Sequence, residues 1–340
     1  MRRLLAPLIA LTVLVAVAGC ASGGQASQPA SAGSGAFPVT VRSALGTATI
    51  DAAPKRVVTL GWGSNDAALA LGVVPVGMSA QVTAGRGITP WAKDAIRKLK
   101  GTTPAVFDAD AGTIPFEKIA ALRPDVILAV YSGITAEQYA TLSKIAPVVG
   151  YPDKPWSTTW QDQLATVGEA LGKKDEAAAL EKRVNAEVAA AKRGHPEFRG
   201  RTAVFGSGTT AGSYNFYLAD DPRMTLLGEL GFTVSRAATD TFEHGADSPT
   251  FATTVSLEQV SKLRADVLVA WYLSDQTRNA IEQTEVFRGL GPVRDKAYVP
   301  VTDPSLLFAT SAPNVLSIPW MLDEYVPLLS TAAKNAAQAR

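Results

Sequence analysis

Apolar positions recur along this chain with two different periods. Between residues 175 and 193, Leu180, Val184, Val188 and Ala191 fall at helical spacing and form one stripe on an otherwise polar segment. Asp175 and Glu176 open the segment and Lys192 and Arg193 close it, the order the helix dipole favours. Gly194 and Pro196 then supply the stop signal. The spacing predicts one helix over 175–193, roughly 28 Å long at ~1.5 Å per residue, enough to join two lobes.

On either side the pattern changes to short continuous apolar runs that alternate with amphipathic stretches. Before the long helix, residues 37–50 predict a hairpin around Gly46, and 56–60, 73–76, 125–130 and 148–149 predict strands. Helices are predicted to end at Leu71, to start at Trp91, and over 116–122, 136–145 and 160–171. After it, strands are predicted at 202–205, 233–235, 266–271 and 298–301, with helices over 222–230, 256–263, 277–287 and 318–329. Strands without polar alternation imply parallel sheets covered on both faces.

The two halves also repeat each other. At an offset of 141, Glu117, Leu122, Arg123, Asp125 and Val126 coincide with Glu258, Leu263, Arg264, Asp266 and Val267. Segment 55–61 parallels 200–206, and 70–76 parallels 229–234. Two copies are too few for a solenoid. They predict two similar α/β lobes, 37–172 and 196–340, joined by a linker over 173–195.

Composition narrows the class. The chain has 340 residues, 47% of them hydrophobic, which allows real cores. Lys+Arg 32 against Asp+Glu 31 gives a net charge of +1, without the basic excess of a nucleic-acid binder. Arg2 and Arg3 precede an apolar run at 4–18, the form of a secretory signal over 1–19. That run ends in Val17, Ala18, Gly19 and Cys20, which looks like a bacterial lipobox with Cys20 as the lipidated residue. Cys20 is the single cysteine, so no disulfide forms within one chain. Residues 21–36, rich in Gly, Ala and Ser, then read as a flexible tether within 20–36.

Candidate chemistry is sparse. Gly61, Gly63 and Asp66 follow a strand and open a helix, but Asp stands where a dinucleotide fingerprint needs its third glycine. No nucleophile elbow or zincin motif occurs, and the two histidines are His195, at a helix end, and His244, in a polar loop. The expectation is therefore binding rather than catalysis, with no cofactor. Tyr131 and Tyr272 occupy equivalent places after the buried strand of each lobe. Ligands of open α/β sheets bind outside the carboxyl ends of strands, so the two tyrosines are expected to face each other across a cleft. Trp62, Trp271 and Tyr214, all near strand ends, join them as candidates. Glu117 and Glu258, each in the first turn of a helix, are either helix-terminus carboxylates or matched acidic contacts for a two-fold partner.

In this order, PKRVV at 54–58, ALGVVPVG at 70–77, FEKIAALRPD at 116–125, LSKIAP at 142–147, DDPR at 220–223 and LGELG at 227–231 resemble the iron-siderophore and vitamin B12 class of substrate-binding lipoproteins of ABC importers. The resemblance spans about 37–329. It implies the class III substrate-binding fold: α/β, with two Rossmann-like lobes joined by a single long linker helix. It implies a monomer anchored through Cys20 to the outer face of the cell membrane, holding a ferric siderophore between the lobes by aromatics and arginines. Arg86 and Arg223 are the cations it suggests. The iron would arrive saturated by its siderophore, with no direct metal ligand from the protein. The resemblance also implies that Glu117 and Glu258 dock on the permease dimer of a transporter with its ATPase. A haem or corrinoid ligand, favoured only by His244, an exported hydrolase and a surface interaction protein are the alternatives.

Overall fold

A computed structural model of the chain describes residues 37–81, 87–109, 113–210, 212–242, 251–272 and 274–339. Strands β1 (Val39–Ser43) and β2 (Gly46–Ile50) pair as the expected antiparallel hairpin. The first lobe's sheet contains β3 (Val57–Thr59), β4 (Gly77–Ser79), β5 (Ala105–Phe107), β6 (Val126–Leu128) and β7 (Val148–Val149). All are parallel, in the order β5-β4-β3-β6-β7.

The continuous apolar runs have the predicted consequence. Successive side chains point to opposite faces, so Val57, Val126 and Leu128 share a core with Leu69, Leu164 and Val167. Val58 and Ile127 face a separate core with Ile119 and Leu142. The expected strand at 73–76 is displaced to β4. Gly72 takes the left-handed conformation (φ 81) and ends helix Ser64–Ala70, while Val73 still donates to the Ala68 carbonyl. Pro75 has no N–H to offer, so pairing starts only where Val76 donates to Val57 at 2.8 Å. Strand β5 was not legible, because Ala105 and Val106 are exposed on the sheet edge.

Helix Trp160–Ala170 stops at Gly172, and the linker helix follows over Lys174–Gly194. Ala177, Val184 and Val188 are its buried stripe; burying one valine contributes about 1.5–3 kcal/mol. Its far end is pinned to the C-terminal helix Ser317–Gln338. The Glu197 carboxylate accepts hydrogen bonds from His195 Nδ1 (3.0 Å) and the Ser330 hydroxyl, with Lys334 Nζ 3.5 Å away. Burial would raise the pKa of Glu197, but these partners outweigh it and bring it down to about 2.

The second lobe contains β8 (Thr202–Gly208), β9 (Ser213–Tyr217), β10 (Thr233–Val234), β11 (Ala252–Ser256), β12 (Val267–Tyr272) and β13 (Tyr298–Val301). The order is β11-β9-β8-β12-β13, with β10 also on β8. The sequence repeat reappears as topology: the parallel set β4-β3-β6-β7 corresponds to β10-β8-β12-β13. Two matched carboxylates explain one repeated position. Asp125 accepts from the Lys55 and Arg56 N–H groups at 2.8 and 2.7 Å, and Asp266 accepts from Thr202 N–H at 2.8 Å. Each tethers the start of its lobe's first central strand.

The antiparallel pair β9–β11 is an addition to the second lobe that has no counterpart among the expected strands. The helix expected over 277–287 is two, Asp275–Glu282 and Glu285–Arg288, because the Thr284 hydroxyl caps a new start at Phe287 N–H. Helix Pro304–Ser311 precedes the C-terminal one and was not predicted.

Candidate functional site

The carboxyl ends of β3, β7, β8 and β12 lead toward the seam between the lobes, where a cavity of about 310 Å³ lies. The first lobe contributes Trp62, just after β3, and Trp156, in the loop after β7. The second contributes Ser207 and Thr209 from the end of β8, Asn215 and Tyr217 from β9, Phe251, Trp271 and Arg223. The walls are therefore mostly indole and phenyl faces, with a few polar groups to fix orientation.

Arg223 is the one cation lining this cavity among the described residues. Only 5% exposed, it starts helix Pro222–Glu229 behind Asp221, whose side chain caps the Arg223 N–H at 2.9 Å. Arg223 Nη1 donates to both Asp221 oxygens at 2.8 and 3.1 Å, and the guanidinium lies 4.1 Å above the Tyr217 ring. Burial opposes the guanidinium charge, but the adjacent Asp221 carboxylate more than offsets it. Arg223 Nε and the Tyr131 hydroxyl have no hydrogen-bond partner among the described residues, although each lies within electrostatic reach of the other. Tyr217 links the polar groups by donating to Ser207 Oγ (3.2 Å) and accepting from Trp271 Nε1 (3.0 Å).

Of the candidate residues, Trp62, Arg223 and Trp271 line the cavity, whereas Tyr131, Tyr214 and Tyr272 sit elsewhere. Tyr131 is fully buried behind Trp156, edge-on to it at 5.6 Å. Tyr214 and Tyr272 do not line the cavity. Tyr214 packs against Phe216 and Phe287 inside the second lobe, and Tyr272 hydrogen bonds to the Tyr298 hydroxyl at 2.6 Å. Strand alternation explains the exchange: on β12, Trp271 faces the cleft, so Tyr272 must point to the helix-covered face. Arg86, His244 and Cys20 lie outside the described residues. Trp156, Ser207, Thr209, Asn215, Tyr217 and Phe251 were missed. Trp156 carried a usable signal, a large aromatic in a proline-rich loop after a strand, and Phe251 carried none.

Beneath the cavity a buried polar cluster ties the lobes together. Asp66, 1% exposed, accepts from Asn65 Nδ2 (2.8 Å), Trp91 Nε1 (2.8 Å) and Asn314 Nδ2 (2.7 Å), the last from the second lobe. Asn314 also accepts from the Leu316 and Ser317 N–H groups, so the start of the C-terminal helix is coupled to helix Ser64–Ala70. Burial pushes the Asp66 carboxyl up to about 7, against the lowering by Trp91 and Asn314. The glycine-rich turn at 61–66 is therefore committed to the lobe seam rather than to a phosphate. Among the described residues, no group of three His, Cys, Asp or Glu side chains is placed to hold a metal ion.

The family described as periplasmic binding protein matches residues 57–290. The chain belongs to this family. Structurally, this periplasmic binding protein is similar to PiaA, an iron uptake ABC transporter substrate-binding protein of Streptococcus pneumoniae. Against PiaA in complex with ferrichrome the identity is 36% and the TM-score 0.77, covering 87% of this chain and 99% of that one. The Fe(3+)-citrate-binding protein YfmC of Bacillus subtilis is 30% identical over 234 residues, 66% of this chain and 65% of its own. The Fe(3+) dicitrate-binding periplasmic protein FecB of Escherichia coli is 28% identical over 259 residues, 75% and 79%. The fold is that of the class III binding proteins, two α/β lobes on one linker helix.

In this periplasmic binding protein both repeated glutamates are exposed. Glu117 occupies the first turn of helix Phe116–Ala121, between β5 and β6. Glu258 occupies the equivalent place between β11 and β12, but in a 3-10 helix, Leu257–Lys262, that starts with a Ser256–Gln259 capping box. The repeat is thus kept in position while the local helix type differs.

Proposed function

We propose that this periplasmic binding protein captures a ferric siderophore in the cleft between its lobes and delivers it to the permease dimer of an ABC importer with its ATPase. The observation that carries the reading is the cavity itself, aromatic on both sides, with the buried Arg223 guanidinium at its base. A ferric chelate offers such a site large flat organic surface and oxygen atoms carrying negative charge, which indoles and a guanidinium fork suit. The iron is cargo, already coordinated by its own ligand. Ferrichrome bound to PiaA and the ferric citrate named for YfmC and FecB support an iron-chelate ligand.

The mature protein acts outside the cytoplasm, held at the outer face of the membrane by lipid on Cys20 and the tether at 21–36. Glu117 and Glu258 present one carboxylate per lobe to two equivalent permease subunits. Rim charges of this kind orient an encounter more than they tighten it.

Tryptophan fluorescence tests the ligand. Trp62, Trp156 and Trp271 surround the cavity, so titration with ferrichrome, ferric citrate, a ferric catecholate, haem and a corrinoid should give saturable 1:1 quenching with one of the three iron chelates. Saturation with haem or the corrinoid alone would replace the siderophore reading, and saturation with none would remove it.

A further inference from the structure

Trp156 has a backbone that bulky side chains rarely adopt, φ 59, in the left-handed region. Such conformations persist where the surroundings over-determine them, and they cluster at ligand sites. Four contacts hold Trp156. Its N–H donates to the Ser132 carbonyl at 3.2 Å. Its indole lies edge-on to Tyr131 and 5.5 Å from Trp62, tilted by 60°. The fourth contact is with Gly133. A Cβ built there would stand 2.3 Å from Trp156 Nε1, 2.9 Å from Cε2 and 3.2 Å from Cζ2, and these are its three nearest atoms. The glycine's own backbone is not left-handed, so its conformation does not require glycine. What does require it is the indole that occupies the place of the missing side chain.

We propose that Gly133 is a positioning residue for ligand capture: its bare Cα seats the Trp156 indole as the first lobe's wall of the cleft. The inference rests on reading the cleft as the ligand site. A wall fixed before binding costs less side-chain ordering when the ligand arrives. Gly133 itself would touch no ligand and act only through Trp156.

The test is a double-mutant cycle of Gly133→Ala and Trp156→Ala, read with and without ligand. In the free protein, Gly133→Ala should move the near-ultraviolet circular dichroism toward that of Trp156→Ala, since a displaced indole loses its partners Trp62 and Tyr131. With ferrichrome as the probe, each single change should weaken binding about ten-fold or more. In the Trp156→Ala background, Gly133→Ala should change affinity less than two-fold, because the group it displaces is gone. Should Gly133→Ala fail to fold, the double variant should fold, and its failure to do so would overturn the proposal. So would a free-protein spectrum unchanged from wild type, or affinity losses that add in the double variant. If wild type binds no ferric chelate, the functional reading fails, while the free-protein spectra still decide whether Gly133 seats Trp156.

Discussion

Replacing Asp66 by asparagine removes a titrating carboxyl from the seam between the lobes while nearly keeping the side chain's shape. The wild-type carboxylate is 1% exposed and receives three donors, one of them Asn314 from the second lobe. Burial lifts its pKa from 3.8 to about 7. In the unfolded chain Asp66 loses its proton near pH 4, whereas in the folded chain it keeps it until near pH 7. Its contribution to stability is therefore fully present below about pH 4 and lost as pH rises through about 7. A shift of about three units at ~1.4 kcal/mol each amounts to roughly 4 kcal/mol. Asparagine does not titrate, and its amide oxygen can still accept from Trp91 and Asn314. Its amide nitrogen faces the Asn65 donor, a loss of about 1 kcal/mol. Asp66→Asn should thus lie within about 1 kcal/mol of wild type at pH 4 and exceed it by roughly 2–4 kcal/mol at pH 8. Urea unfolding of both proteins at half-unit steps from pH 4 to 8 isolates the effect, since distant titrations cancel in the difference. A difference that stays flat across that range would refute the burial argument.

Arg223→Ala should destabilise the protein by roughly 3–5 kcal/mol in urea unfolding, because it leaves the Asp221 carboxylate buried and unpaired. Adding Asp221→Asn should recover most of that loss, and additive losses would disprove the pairing. Trp271→Ala should weaken ferrichrome binding more than Tyr272→Ala does, the reverse of what two facing tyrosines would give. The Glu117→Ala, Glu258→Ala double variant should keep ligand affinity and slow cellular uptake, each single change being milder, at a folding cost of about 1 kcal/mol or less per site. Uptake at the wild-type rate would leave both as helix-terminus carboxylates. Cys20→Ala should release the protein from membranes, and retention after a salt wash would exclude a lipid anchor at that residue.

The parts of the fold that repeat local rules were legible. Leu180, Val184 and Val188 placed the linker helix to within a residue at each end, because one stripe, a charge gradient and a glycine stop all agree. The 141-residue offset foretold two lobes, and Asp125 and Asp266 show what the repeat preserves. Long-range pairing was not legible. Tyr214 and Phe216 alternate with Asn215 as a strand would, but that strand is made by Ala252–Ser256, distant in sequence.

The site divides in the same way. Trp62 follows from a strand end, which local patterns reveal, whereas Arg223 rests on the family resemblance. Choosing Trp271 over Tyr272 needs the register of β12, since a one-residue difference reverses the face. Asp66 was read only as a glycine missing from a nucleotide motif. Its partner Asn314 lies in the other lobe, and no spacing rule links the two.

Crystals of the protein grown with the ferric chelate that quenches its tryptophans, measured at the iron absorption edge, place the cargo without reference to any mutant. One anomalous peak per chain is expected between Trp62, Trp156 and Trp271, above the Arg223 guanidinium. A peak at the second lobe's outer groove beside Arg264 and Arg294, or a fully loaded protein with no iron between the lobes, would contradict capture in the cleft.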